Sequence, residues 1–521
     1  MEPVIWRQTL GDLLRRTAAR VPQKTAIVCG DRTWTYADFD RLCDELAVGL
    51  TNLGVRAADR VAILARNSDA FAAIRFALAR IAAILVPVNF MLNAREAAYV
   101  LRHSGAKVLC VDSELTELGQ AAALNTEVEQ FIWLPSEQAT VAPSGLKRFD
   151  ELRLPNTAVP AVDLDGNTPA QIIYTSGTES TPKGALLTHE ALLWEYVSCL
   201  VDAQIESEDL LLHALPLYHC AQLDCFLGPA IYVGATNIIT SRPTPDNLLP
   251  LLERHHISSF FAPPTVWISL LRSPLFAKSD LTSLRKAYYG ASIMPIEVLR
   301  EMQRRLPQVR LWNLYGQTEI APVATVLKPE DQLRKPGSAG RPVLNVETRI
   351  VDESGAEVAV GEVGEIVHRS PQLIRGYYRD EERTRLAFAG GWFHSGDLAR
   401  RDEEGYITIV DRRKDMIKSG GENVSSREVE ETIYQLIEVA EVAVIGLLDP
   451  TWIEAVTAVV VLKEHHSITS AQLVSHCAAR LSPFKVPKRV FFVAHLPKNP
   501  SGKVLKRLLR ETCGDLGNDR K

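Results

Sequence analysis

Apolar and polar positions recur along this chain with two distinct periods. Residues 10–20 place Leu10, Leu13, Leu14 and Ala18 on one face at helical spacing, so the chain opens with an amphipathic helix. Residues 25–29 and 33–36 are β-prone and flank the turn Gly30-Asp31, which reads as a hairpin. A helix over 37–53, a strand at 60–64, a further helix, a strand at 83–87, a helix over 94–103 and a strand at 107–112 follow. Short apolar strands alternating with helices make a largely parallel sheet covered on both faces. The pattern resumes with strands at 209–214, 235–240 and 258–262.

Between Gly337 and Tyr406 the texture changes to short strands at 347–351, 364–368 and 406–410 divided by glycine turns, a smaller β-rich subdomain. From about Asp415 the chain reads as a compact α+β unit: a helix over 426–436, strands at 439–445 and 455–462, a helix over 471–481, a strand at 489–493 and a loose tail over 514–521. The charged run at 411–415 suits a solvated hinge. The expected fold class is α/β: a large N-terminal domain over 1–410 with parallel-rich sheets and the β-rich subdomain, the hinge, and a small α+β C-terminal domain over 416–521.

Composition narrows the function. At 521 residues one compact core is too few, and 46% hydrophobic with 23% charged residues is ordinary for a globular protein. A net charge of −5 leaves no footprint for nucleic acid. The eight cysteines form no CxxC and no His/Cys cluster at zinc spacing, so free thiols in a reducing cytoplasm are expected. The N-terminus has no apolar core of a secretory signal, and Glu2 and Asp12 argue against a transit peptide. The most hydrophobic window, residues 71–92, is interrupted by Arg75, Arg80 and Pro87, so no transmembrane segment is expected. A homo-oligomer is compatible with this composition, which does not specify one.

Candidate chemistry begins at Tyr174-Thr-Ser-Gly-Thr-Glu-Ser-Thr-Pro-Lys-Gly184, where an apolar strand runs into hydroxyls and glycines and then a lysine. Small residues turn backbone N–H groups inward, hydroxyls add donors and Lys183 adds charge, a combination that suits a polyphosphate. The spacing is not that of the P-loop. In Tyr315-Gly-Gln-Thr-Glu319 an aromatic ring beside Gly316 suits stacking on a base, while Thr318 and Glu319 suit a phosphate and its Mg²⁺. Asp397, after the turn Ser395-Gly396, suits two ribose hydroxyls, and Lys503 follows a glycine turn near the C-terminus.

These pieces, with Pro216-Leu-Tyr-His219, residues 411–430 and Pro497-Lys-Asn-Pro-Ser-Gly-Lys503, stand in the order of the adenylate-forming superfamily, which the whole chain resembles. The acyl-CoA synthetase or fatty-acid–CoA ligase type is the nearest in pattern. The resemblance implies that Thr175, Ser176, Gly177, Thr178 and Lys183 hold the ATP phosphates, with Thr175 among the catalytic groups. Gly290, Ala291 and Ser292 would form one wall of the adenine slot and Tyr315 with Gly316 the other. Thr318 would meet the α-phosphate, Glu319 would ligate Mg²⁺, and Asp397 and Arg412 would take the ribose. Lys503 would bridge carboxylate and α-phosphate during adenylation. The small domain would be mobile, rotating about Lys414 to bring Gly420 and Gly421 against the pantetheine arm of coenzyme A. Two departures stand out: Glu179-Ser180-Thr181 where Thr-Gly-x is commoner, and Asp411 where Gly often opens the ribose motif.

The expected reaction joins a small-molecule carboxylic acid to CoA through acyl-AMP. His219 is the expected gate between acyl pocket and thiol channel. Tyr218-His219 replaces the Phe-Asp with which relatives hold an amino group, so amino acids are disfavoured. Pocket segments around Trp267, Tyr288 and Tyr289 are apolar and point to a medium- to long-chain fatty acid, with an aryl or short-chain acid as the alternative. An acyl-AMP ligase serving a carrier protein and a non-catalytic nucleotide binder are the competing classes.

Overall fold

A computed structural model describes residues 6–138, 141–143, 145–175, 182–290, 294–412, 415–419, 422–498 and 504–518, with only the backbone for 515–518. Among the described residues the strands form four sheets. The largest has nine strands, and six of them are parallel neighbours: Arg310–Gly316, Lys286–Gly290, Ser259–Phe261, Leu210–His213, Thr236–Ile239 and Thr25–Cys29. Antiparallel strands close both edges, Val323–Leu327 with Arg341–Pro342 on one side and Arg32–Thr35 on the other. The eight-stranded sheet is parallel from Pro169–Thr175 through Ile84–Pro87, Arg60–Leu64, Val108–Val111 and Gln130–Trp133 to Lys147–Arg148.

Helices Leu10–Arg20, Tyr36–Asn52, Asp69–Arg80 and His189–Asp202 share one core with inward side chains of both sheets, including Ile27, Ile63, Leu85 and Ile173. Thr9, Thr35, Ser68 and Thr188 cap these four helices, each side chain accepting a first-turn backbone N–H. Separate apolar clusters cover the outer face of each sheet. The expectation of parallel sheets covered on both faces is met.

The hydrophobic window at 71–92 shows why its arginines are there. Arg75 and Arg80 lie on the buried helix Asp69–Arg80, Arg75 paired with Asp224 and Arg80 with Asp40 and Asp44. Among the described residues no helix is long and apolar enough to cross a membrane.

The β-rich part is an antiparallel sheet of Glu347–Val351, Gly364–Arg369, Phe393–Arg401 and Ile407–Arg412. In the C-terminal sheet, strand Val439–Asp449 alternates its faces. Val442 and Val444 pack with helices Ser426–Ile433 and Ser470–Ala478, while Ala443 and Ile445 pack with helix Lys506–Asn518. The loose tail expected over 514–521 is corrected as far as 518, where helix Lys506–Asn518 ends, with Leu509 and Cys513 buried; residues 519–521 lie outside the described residues. All eight cysteines are free and buried.

Candidate active site

The site residues gather where the parallel strands end at their carboxyl sides, the usual place for a ligand crevice in such sheets. Strands Lys286–Gly290 and Arg310–Gly316 run side by side, with Gly290 opposite Leu314. A Cβ on Gly290 would collide with the Leu314 carbonyl, and one on Gly316 with that of Pro322, so both positions require glycine for close backbone approach. Past Gly316 the chain makes a short turn, Thr318–Ile320. Thr318 Oγ1 lies 3.3 Å from Cys220 Sγ, which joins this strand end to the segment after Leu210–His213. There His219 caps the helical turn that follows, its Nδ1 accepting from Ala221 N–H at 3.3 Å.

Asp397 comes from the neighbouring β-rich sheet, directly across from Arg412. Its Oδ2 accepts from Tyr315 Oη at 2.7 Å and from Gln317 Nε2 at 2.9 Å, while Oδ1 lies 3.4 Å from Arg412 Nε. Gln317 Nε2 also donates to the Ser395 carbonyl at 3.0 Å. Burial, with the Asp397 charge beside it, pushes the Tyr315 phenol well above its ordinary range, so it stays a donor. The carboxylate orients Tyr315 and keeps acceptor capacity that vicinal hydroxyls can use.

Thr175 and Lys183 face each other as the last pair of the antiparallel strands Pro169–Thr175 and Lys183–Thr188. Lys183 Nζ stands 5.0 Å from the centroid of the Tyr377 ring, and Tyr377 Oη donates to Glu319 Oε1 at 3.0 Å. Burial and the Glu319 charge push the Tyr377 phenol up. Behind this strand pair, Tyr99 Oη donates to the Pro182 carbonyl at 3.3 Å, and His103 Nδ1 lies 2.8 Å from Tyr174 Oη. A lysine and a half-buried carboxylate on either side of one phenol can receive a phosphate and its counter-ion. Glu319 has one oxygen engaged by Tyr377 among the described residues, and a hard oxygen donor of this kind fits Mg²⁺.

The family described as AMP-binding enzyme matches residues 14–378, and its C-terminal domain matches residues 428–503. A feruloyl-CoA synthase from Amycolatopsis is 37% identical over 508 residues, covering 97% of this chain and 99% of the relative. A long-chain-fatty-acid–CoA ligase from Mycobacterium tuberculosis is 33% identical over 508 residues, covering 97% and 98%. A solved anthranilate CoA ligase in complex with anthranoyl-AMP superposes with a TM-score of 0.91 at 27% identity, covering 98% of each chain. This chain belongs to the adenylate-forming AMP-binding enzymes, of the acyl-CoA synthetase type. It is an AMP-forming acid–CoA ligase.

Within this AMP-binding enzyme, Thr175, Lys183, Gly290, Tyr315, Gly316, Thr318, Glu319, Asp397 and Arg412 fall into the clusters just described. Ser176, Gly177, Thr178, Ala291, Ser292, Lys414, Gly420, Gly421 and Lys503 lie outside the described residues. Trp267 and Tyr289 belong to one apolar cluster. Both are buried on the outer face of the nine-stranded sheet, Trp267 against Phe260 with its Nε1 donating to the Tyr288 carbonyl at 3.0 Å, Tyr289 donating to Gln332 Oε1 at 2.6 Å. Tyr288 points to the opposite face, stacked on Trp312. Strand alternation separates the two tyrosines, a separation that the bare pair Tyr-Tyr already implies. Two contributors were not singled out from sequence, Gln317 and Tyr377. The first sits inside a recognised motif, and the second in Gly376-Tyr-Tyr378, whose two aromatics after a glycine were the available signal.

Proposed function

We propose that this ligase activates an aromatic monocarboxylate with ATP and transfers the acyl group to CoA. The adenylation half rests on one observation: Asp397 held by Tyr315, Gln317 and Arg412 next to the Glu319–Tyr377–Lys183 cluster. In this reading Asp397 and Arg412 take the ribose and Tyr315 flanks the adenine. Lys183, Thr175, Ser176, Gly177 and Thr178 bind the phosphates. Glu319 holds Mg²⁺, which supplies charge neutralisation at the phosphates when bound. Lys503 serves adenylation alone, and the chain divides at 411–415 so that the domain carrying it can move away before the thiol enters past His219.

The aromatic acid is favoured by likeness over nearly the whole chain to a feruloyl-CoA synthase, and by the fold shared with an anthranilate CoA ligase. A planar acid also has few rotors to immobilise on binding. A medium- to long-chain fatty acid is the second reading, supported by likeness to a long-chain-fatty-acid–CoA ligase. Pyrophosphate release, with and without CoA, over hydroxycinnamic, benzoic and graded fatty acids tests both. The expected result is a kcat/KM at least about tenfold higher for an aromatic acid, the size of preference that one or two well-filled apolar contacts confer. An optimum at a fatty acid overturns the aromatic reading and leaves adenylation standing. Lys503→Ala is expected to abolish acyl-AMP formation while sparing thioester formation from supplied acyl-AMP.

A further inference from the structure

The turn carrying Thr318 and Glu319 is gripped from below by side chains outside the strand-end clusters described above. Glu195, on helix His189–Asp202, and Gln372, between strands Gly364–Arg369 and Gly376–Tyr377, are both fully buried. Glu195 Oε1 accepts from Val323 N–H at 3.3 Å and from the Cys199 thiol at 3.1 Å, while Oε2 accepts from Gln372 Nε2 at 2.7 Å. The same Gln372 amide donates to the carbonyls of Val323 at 3.1 Å and Ile320 at 3.3 Å. Its own Oε1 accepts from Ser198 Oγ at 2.6 Å, whose oxygen accepts from Asn345 Nδ2 at 3.1 Å. Two residues on, Ile374 N–H donates to the Glu319 carbonyl at 2.9 Å, and Tyr377 reaches the Glu319 side chain.

Burying a carboxyl whose hydrogen-bond partners among the described residues are neutral is expensive, and burial pushes Glu195 well above the usual carboxylate range. Glu195, Cys199 and Cys225 also bring ligand atoms within 4.8 Å of one another, the spacing of a metal group. Both oxygens of Glu195 are already committed to the Val323 amide and Gln372, which is the arrangement of a clamp.

We propose that Glu195 and Gln372 are positioning residues for adenylation, fixing the backbone at Glu319, Ile320 and Val323 so that Thr318 and Glu319 meet the α-phosphate and Mg²⁺ in register. This rests on the adenylation reading above. A shift of about an ångström at such a turn is enough to cost two orders of magnitude in rate.

The test uses the full chain and the acid that the wild type turns over best. It measures ATP–pyrophosphate exchange, the Mg²⁺ concentration at half-maximal exchange, and thioester formation from supplied acyl-AMP. Gln372→Ala is expected to slow exchange by about 30- to 100-fold and raise the Mg²⁺ midpoint severalfold. Thioester formation should stay within about twofold of wild type, because the clamp acts only on adenylation geometry. Glu195→Gln keeps the volume and the acceptor for Val323 but turns an amide against Gln372, and about a tenfold loss of exchange is expected. Leu248→Ala, a core truncation on the outer face of the nine-stranded sheet, is the stability control and should lower Tm while leaving the Mg²⁺ midpoint unmoved. An unchanged Mg²⁺ midpoint in folded Gln372→Ala, or equal loss in both half-reactions, overturns the clamp. Should that variant be insoluble, Glu195→Gln decides by the same two readouts. A wild type without exchange on any acid overturns the adenylation reading instead.

Discussion

Asp224 and Asp397 are buried carboxylates surrounded by the same residue types, an arginine, a glutamine and a tyrosine, yet only one of them belongs to the candidate active site. Asp224 accepts from Gln171 Nε2 at 2.7 Å and pairs with Arg75, whose Nη2 also donates to Tyr196 Oη at 2.7 Å. Asp397 accepts from Tyr315 and Gln317, with Arg412 at the longer distance of 3.4 Å. The Arg75 and Asp224 side chains are 1% and 0% exposed, whereas Arg412 is 37% exposed. The first cluster is sealed between the two large sheets. The second lies at a strand end beside a loosely held cation. Residue chemistry alone does not distinguish them; access for an exchanging ligand does.

The largest effects should follow from that difference. Arg75→Ala leaves a carboxylate buried without its cation, and about 3–5 kcal/mol of stability should be lost. Specific activity per folded molecule should be retained, read by denaturant titration alongside an activity assay. Asp397→Ala should do the reverse: about 1 kcal/mol of stability, from two donors left with partial access to water, but about a hundredfold loss in ATP-dependent exchange. If Arg75→Ala abolishes activity in molecules that remain folded, the sealed cluster is part of the site and the contrast collapses.

Trp267 sharpens the same point for the acid pocket. It is 1% exposed and its indole N–H is satisfied by the Tyr288 carbonyl, so Trp267→Ala should cost about 3–5 kcal/mol through the cavity left behind, with the acid preference unchanged. A shift of the optimum to longer acids at wild-type stability would return this ring to the pocket.

A third effect concerns acid. His189, His213 and His368 are buried and neutral, each held down to about 4 by burial. An unfolded histidine titrates near 6.5, so below that pH the unfolded chain takes up protons that the folded one resists. Stability is therefore full above about pH 6.5 and is lost as pH falls toward 4, by roughly 3 kcal/mol per histidine at the lower end. Asp224 opposes this. Burial pushes it up to about 6 from 3.8, so the folded chain keeps a proton that the unfolded chain has shed, and its contribution falls as pH rises through that window. Glu195, which burial also pushes well above the usual carboxylate range, works with Asp224, so the histidine contribution has to be isolated by substitution. His213→Gln should make stability near pH 4, relative to its own value above pH 6.5, roughly 3 kcal/mol better than in wild type, because one proton-linked histidine is gone. A wild-type Tm that climbs below pH 6 would mean that Asp224 and Glu195 dominate, and a His213→Gln effect that does not change with pH would remove His213 from the linkage.

Much of the fold was legible because its signals are local. Apolar strands at 60–64 and 347–351 and the helix over 10–20 coincide with Arg60–Leu64, Glu347–Val351 and Leu10–Arg20. The clustering of Tyr315, Glu319 and Asp397 was legible for another reason: these residues sit in short motifs at strand ends. Illegible were contacts between distant segments. Glu195 meets Gln372 across 177 residues and Arg75 meets Asp224 across 149, and nothing in either local pattern marks the partner. Trp267 was expected at the acyl pocket, and the structure buries it on the outer face of the nine-stranded sheet. An aromatic in an apolar segment fits a core as readily as a pocket, and only the direction of its side chain decides.

The smallest expected effect comes from the open side of the Asp397 cluster. Arg412 lies 3.4 Å from Asp397 with a third of its side chain exposed, and such a pair contributes about 0–1 kcal/mol to stability. Arg412→Gln should therefore leave Tm almost unmoved. ATP binding is different, because a nucleotide settling over Asp397 excludes water and strengthens whatever charge remains beside it. KM for ATP should rise severalfold, with kcat for adenylation nearly constant, because the ribose is held alike in ground and transition states. Arg412→Lys should recover only part of that, since a compact ammonium cannot reproduce the planar fork of the guanidinium. A fall in kcat at saturating ATP would assign Arg412 to the transition state and break the proposed separation between ribose binding at Asp397 and phosphate chemistry at Glu319 and Lys183.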